Sequence, residues 1–264
     1  MKKIFLALIT IVIFCNLIDA QNDTMYIMKS GIVVGKYNVH TQVDSMIFYQ
    51  PVIQISNTFT DSRDNNVYQT VTIGNQVWMA ENLRYLPCVA GSYAGSTTSP
   101  YYYVYGYEGT NVDDAKATAN YSTYGVLYNW AAAMAGSASS SANPSGVQGV
   151  CPTGWHLPSD AEWTELTTYL GGENIAGGKL KETGTTHWNT PNAGATNETG
   201  FTALPGGCLR NGVFSTIGQY GYWWSATEIS SPIAWYRFLN LVDSTVLRDI
   251  KGKELGLSVR CVRD

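Results

Sequence analysis

Cys151-Pro152-Thr153-Gly154-Trp155-His156-Leu157-Pro158-Ser159-Asp160-Ala161-Glu162-Trp163 carries the clearest local instruction in the chain. Ser159 followed three residues later by Glu162 is a capping box: the hydroxyl accepts from the Glu162 amide, and the carboxylate reaches back to the amide of Ser159. Behind it, Trp163, Leu166, Thr167 and Leu170 recur on one face of a 3.6-residue period, and Gly171-Gly172 stops the run. The pattern predicts an amphipathic helix. Asp160 and Glu162 are explained by the cap and the helix dipole before any chemistry is asked of them.

On both sides of this helix the period changes to two. Residues 67–73 alternate, Gly74-Asn75 supplies a turn, and Gln76-Val77-Trp78-Met79 returns, which predicts a hairpin with one buried face. Downstream, residues 201–204, 222–226, 234–242, 244–249 and 257–262 read as short strands. A second helix is predicted over residues 124–135, from Leu127, Trp130, Ala131 and Met134, with Gly136 at its end. Residues 87–123 show no clear period but hold Tyr101, Tyr102, Tyr103, Tyr105 and Tyr107, either a stacking platform or a lid over core. Residues 137–148 and the glycine-rich stretch up to Gly200 read as loops. Helices in the middle with antiparallel hairpins at both ends give an α+β fold, without an internal repeat.

The first residues, Met1-Lys2-Lys3 and an apolar run over residues 4–14, have the layout of a secretory signal, with Ala20 before Gln21 as the cleavage point. The run is shorter than the roughly 20 residues of a membrane span, and Asn16 and Asp19 interrupt it. Cys15 raises a lipid anchor as an alternative, but bulky Phe14 stands where such signals place a small residue. Residues 23–50 predict a small β module, with Lys29-Ser30-Gly31 as the turn of its first hairpin and a third strand over residues 43–49. Residues 51–66 read as a linker, and the main domain as residues 67–264.

Without residues 1–20, Lys plus Arg falls from 16 to 14 and Asp plus Glu from 20 to 19, a net charge of −5. A weakly acidic chain without a basic run offers nothing to a phosphate backbone, so nucleic acid is set aside as a partner. Only 14% of residues are charged, and no other segment approaches bilayer length. Four cysteines remain in the mature chain: Cys88, Cys151, Cys208 and Cys261. An even number in an exported chain predicts two disulfides, with three pairings open. No C-x-x-C, H-E-x-x-H, G-x-S-x-G, phosphate loop or G-x-G-x-x-G occurs. His40, His156 and His187 lie in separate segments, and His156 reads as a hydrogen-bonded structural residue. Catalysis is not expected.

Five blocks in order carry a resemblance: Val77-Trp78-Met79-Ala80-Glu81-Asn82-Leu83, Tyr124-Gly125-Val126-Leu127-Tyr128-Asn129-Trp130, the Cys151 to Trp163 stretch above, Tyr222-Trp223-Trp224-Ser225-Ala226-Thr227 and Ser258-Val259-Arg260-Cys261-Val262-Arg263-Asp264. Residues 67–264 resemble the Fibrobacter succinogenes major paralogous domain. The segment before them is similar to N-terminal segments of secreted Bacteroidetes proteins. The resemblance implies a C-type-lectin-like fold, related to formylglycine-generating enzymes, in exported or surface-attached proteins without established catalytic residues. That fold returns its last strand beside its first and ties it to the helical layer, which implies a Cys151–Cys261 bridge and leaves Cys88 and Cys208 for each other. Closing a loop of about 110 residues adds roughly 4–5 kcal/mol by the loop-entropy argument. An oxidase of the formylglycine-generating kind needs two active-site cysteines close together, and here two bridges account for all four.

In lectin-like relatives the C-terminal region faces the ligand. Here it holds Trp223, Trp224, Glu228, Trp235, Tyr236, Arg237, Asn240, Asp243 and Arg248. Aromatic rings stack on sugars and the polar groups bond directionally, so Trp224, Glu228, Trp235, Arg237, Asn240, Asp243 and Arg248 are the candidate ligand-binding residues. The alternative is that the tryptophans are core; apolar residues occur in both registers of residues 234–242, so alternation leaves the buried face open. No cofactor is called for. Calcium fits the fold, with Glu228, Asn240 and Asp243 as the nearest oxygen set, but the Glu-Pro-Asn triplet of sugar-binding lectins is missing. The expectation is an exported, non-catalytic binding or adhesion domain for an extracellular glycan or protein. The alternatives are a structural component of the cell surface and, behind it, an enzyme such as a glycosidase, whose paired carboxylates only a structure reveals.

Overall fold

In the computed structural model, which describes residues 24–29, 32–38 and 57–264, the chain divides into two units, residues 1–53 and 54–264. In the first, β1 (Thr24–Lys29) and β2 (Ile32–Asn38) pair antiparallel, Lys29 opposite Ile32, with a bulge between Ile27 and Met28. Ile27, Val33, Val34 and Tyr37 of this hairpin are exposed. The expected third strand (residues 43–49) and signal segment (residues 1–20) lie outside the described residues.

The second unit starts earlier than the sequence pattern indicates. Residues 57–60, read above as linker, form β3 (Asn57–Thr60) and pair antiparallel with β4 (Val67–Ile73). The reason is packing: the Phe59 ring lies 5.2 Å from that of Trp155. β4 turns into β5 (Gln76–Met79) as the alternation predicts, burying Tyr68, Val71, Ile73, Trp78 and Met79. The long tyrosine-rich segment contains β6 (Tyr102–Tyr103), α1 (Val112–Lys116) and α2 (Ala119–Tyr124). Then, instead of one helix over residues 124–135, Gly125 closes α2, β7 (Leu127–Tyr128) pairs with β6, and α3 (Trp130–Met134) starts afresh under an Asn129 cap.

β8 (Trp155–His156) leads into α4 (Asp160–Tyr169), whose capping box and buried face (Trp163, Leu166, Thr167) match the sequence reading. α5 (Glu173–Leu180) follows directly, in the stretch read as loop. Two glycines hide it, and packing explains them: a Cβ on Gly177 would lie 2.7 Å from the Ser244 and Thr245 carbonyls. β9 (Cys208–Arg210) and β10 (Val213–Ser215) make a hairpin not anticipated. β11 (Tyr220–Ser230), β12 (Ile233–Asn240) and β13 (Leu247–Gly252) form a three-stranded antiparallel sheet. β14 (Val262–Arg263) slots between β5 and β8 to complete a sheet of order β3-β4-β5-β14-β8. Short helices and antiparallel sheets make this an α+β fold.

One disulfide, Cys151–Cys261, spans 110 residues and joins the segment before β8 to the approach to β14. Two large apolar clusters and a small third one, Tyr103, Leu127 and Leu209, make the core among the described residues. One large cluster centres on Tyr128, Trp130, Trp155, Trp224 and Tyr236; the other on Trp78, Trp163, Trp188, Phe201 and Trp223. In the second, the Trp78 and Trp163 ring centroids are 4.7 Å apart. Among the described residues, no helix is long and apolar enough to cross a membrane.

Candidate functional site

The β11-β12-β13 sheet has two different faces, because side chains alternate along each strand. Trp223 lies opposite Arg237, and Arg237 opposite Arg248; Tyr222 lies opposite Phe238, Trp224 opposite Tyr236, and Tyr236 opposite Asp249. The first set turns towards α4 and α5. The wholly buried Arg237 donates to Glu173 Oε1 (2.7 Å), Asp160 Oδ1 (2.9 Å) and Thr164 Oγ1 (2.8 Å). Arg248 grips the same Asp160 carboxylate through Nε (3.0 Å) and Nη2 (2.7 Å) while its guanidinium lies 3.5 Å above the Trp235 ring. The hydrogen bond to Asp160, with the charges of Asp160 and Glu173 behind it, raises the Arg248 pKa against the opposing effect of burial. Asp160 is therefore more than a first-turn acid: it bridges two arginines, with Glu173 supplying the second negative charge.

The second face is an aromatic ladder. Tyr220 and Tyr222 stack at 5.6 Å and 14°, Tyr222 and Phe238 at 5.7 Å and 28°, and Phe238 and Tyr236 at 5.6 Å and 26°. Trp224 meets Tyr236 edge-on at 6.3 Å. The ladder opens progressively: Trp224 and Tyr236 are buried, whereas Tyr222, Phe238 and Tyr220 are half-exposed. Polar groups line it. Tyr236 Oη donates to Asp249 Oδ2 at 3.2 Å, and burial pushes the Tyr222 phenol up to about 12 despite its hydrogen bond with Thr216. Tyr105, packed on Phe214 at 5.2 Å, borders the β9-β10 side. Gly207 holds that hairpin close at φ 65°, where a Cβ would also lie 2.7 Å from the Ile217 nitrogen.

The seven residues picked from sequence separate. Trp224 lies wholly in the core, its indole N–H donating to the Tyr128 carbonyl at 2.8 Å, so it cannot stack on a ligand. Arg237 is consumed by its ion pairs. Glu228 pairs with Lys253, whose ammonium sits 4.2 Å over the Trp130 ring. Asn240 and Asp243 bind each other (3.1 Å) and the amides of Val242, Asp243 and Thr245. These bonds hold the Asp243 pKa down against the opposing effect of burial. Trp235 is half-buried under the exposed Arg248. The calcium set does not assemble: Asn240 pairs with Tyr220 at one end of the β11-β12 hairpin and Glu228 with Ala234 towards the other. Among the described residues, no three His, Cys, Asp or Glu cluster as metal ligands.

Tyr220, Tyr222 and Phe238 were not singled out in the sequence, although a signal existed. Aromatics fall at 220, 222 and 224 and at 236 and 238, period two on both strands.

The expected Cys88–Cys208 bridge is absent. Cys88 is exposed, and burial of Cys208 turns its thiol towards Ser215 Oγ (3.5 Å) and Thr216 Oγ1 (3.9 Å) within its own hairpin. Of the tyrosine cluster, Tyr103 is buried with its hydroxyl donating to the Ala94 carbonyl, and Tyr102 lies edge-on to Tyr128, so these two cover core.

His156 is buried between two carboxylates, Nε2 2.7 Å from Glu162 Oε1 and Nδ1 2.7 Å from Asp264 Oδ1. Desolvation pulls its pKa down, but the hydrogen bonds to Glu162 and Asp264 outweigh it and the net shift is upward. Both ring nitrogens are engaged, which leaves none to serve as a base. Arg260 is also buried, donating to Asn82 Oδ1 (3.0 Å) and the Phe201 and Thr202 carbonyls; burial lowers its pKa to about 9.

Residues 71–263 match the family described as the Fibrobacter succinogenes major domain. No curated protein and no solved structure matches the chain.

Proposed function

The chain belongs to the Fibrobacter succinogenes major domain family, and from there we propose that it is an exported, non-catalytic binding module that recognises a glycan through the half-open aromatic face of β11 and β12. The observation that carries this reading is the row Tyr220, Tyr222 and Phe238, in which Tyr222 stacks on both neighbours and all three rings are left partly uncovered on an antiparallel sheet flanked by Asp249 and Thr216. Apolar ring faces take the C–H face of a sugar, and a few fixed polar groups orient its hydroxyls. We read the fold as C-type-lectin-like, a reading supported by β14 returning to pair with β5 and β8 beside a bridge from the segment before α4. A long-range disulfide suits an oxidising compartment, in line with export.

The test is a glycan array and retention on insoluble polysaccharides, with Tyr220→Ala and Phe238→Ala beside the unaltered protein. Each truncation should remove about 1 kcal/mol of binding, a several-fold loss of affinity. Retention unchanged in both variants would sink the assignment of the site; binding to proteins but to no saccharide would change the ligand class. The second reading, an assembly component of the cell surface, draws on the exposed Ile27, Val33, Val34 and Tyr37 of the β1-β2 hairpin. It expects attachment to be lost when residues 21–53 are deleted and to survive Phe238→Ala.

A further inference from the structure

We infer that Lys181 is a built-in cation that fixes the 240–245 turn at the edge of the aromatic face, in the seat a metal ion would otherwise take. Lys181 follows α5 and has no exposed surface. Its ammonium donates to the main-chain carbonyls of Ala193 (2.8 Å), Asn240 (3.0 Å) and Asp243 (2.8 Å). Those are all the protons an ammonium has.

Three carbonyl oxygens from two separate loops thus converge on one point. Their dipoles repel one another unless a cation or a threefold donor stands between them. The Trp188 ring, 5.4 Å from Nζ, closes the site on another side. Burial lowers the lysine pKa to about 8, with Asp243 opposing, so it remains charged at neutral pH. The acid side chains of the turn are not left to bind an ion: Asp243 accepts from Thr245 N and Asn240 Nδ2, and Asn240 Oδ1 accepts from Val242 and Asp243 amides.

The turn starts at Asn240, which lies opposite Tyr220, the open end of the ladder. Lys181 is thus a positioning residue for that edge. Its functional consequence, that ligand recognition there needs no divalent metal, rests on the binding reading above; the structural inference stands without it.

Hydrogen exchange at the Val242, Asp243 and Thr245 amides of the full chain tests the structural part with no ligand present. Protection in the unaltered protein should be equal in EDTA and in calcium. In Lys181→Met, exchange at these amides should quicken at least tenfold while β4 and β5 keep their protection. Lys181→Ala should regain much of the lost protection in methylammonium chloride, which refills the seat with a donor, and none in tetramethylammonium chloride, which has no N–H. Wild-type protection in Lys181→Met, calcium-enhanced protection in the native chain, or equal rescue by both salts would each overturn the inference. Should neither variant fold, nitrogen NMR of the native lysine ammonium groups decides: one slowly exchanging ammonium is expected, and its absence counts against a caged cation. Calcium-dependent glycan retention with turn protection unchanged would remove the functional consequence alone.

Discussion

Trp224 has the residue type a sugar platform needs, yet its ring is enclosed and its N–H is bonded to the Tyr128 carbonyl. Trp224→Ala should therefore act as a cavity mutation, costing about 3–5 kcal/mol, seen as a lower urea midpoint at unchanged slope. A cost below about 1 kcal/mol would place the ring outside the core. His156 makes a second prediction. Its folded pKa lies above the unfolded value of about 6.5, so its contribution is complete below that pH and fades as pH rises through the folded value. The stability difference between the native chain and His156→Gln should shrink from pH 5 to pH 9; a flat difference would mean that the ring is not held as imidazolium. The identity of these residues was legible, their exposure was not. Residues 234–242 carry apolar side chains in both registers because both faces of the sheet are packed, Trp223 and Leu239 in one apolar cluster and Trp224 and Tyr236 in another.

Among the elements, α4 was the most readable because its start, stripe and stop are all local. Its cap can be weighed. Ser159→Ala should lose about 1 kcal/mol. Glu162→Gln should lose more, since that carboxylate also accepts from Ser145 N (3.0 Å) and His156. Thermal unfolding of the two variants checks the order, and a Ser159→Ala loss exceeding that of Glu162→Gln would contradict it. α5 was unreadable for the opposite reason. Its N-cap Gly172 offers no side chain, and Gly177 and Gly178 are set by contacts with Ser244, Thr245 and Gly194, far away in sequence. The break of the predicted 124–135 helix also has a local cause that a stripe of apolar residues conceals: Gly125 at φ 77° and the Asn129 cap.

For the molecule as a whole, α+β and the terminal hairpin were legible from periodicity, and the Cys151–Cys261 tie followed from family resemblance. The aromatic face was not, because it forms only when β11 and β12 align Tyr222 with Phe238. Removing the bridge with Cys151→Ala and Cys261→Ala together should cost about 4–5 kcal/mol by loop entropy, a fall in melting temperature of roughly 10–20 °C. Calorimetry of the double variant measures it; a fall of a degree or two would put the stabilising weight elsewhere. The position of β14 has a further consequence, in time. β5 and β8 each wait, with an unpaired edge, for residues near 262, whose partners at Trp78 and His156 were synthesised long before. The sheet is therefore completed in a single late event, and a nascent chain stalled before residue 259 should remain open to protease at β8 while β3, β4 and β5 already pair.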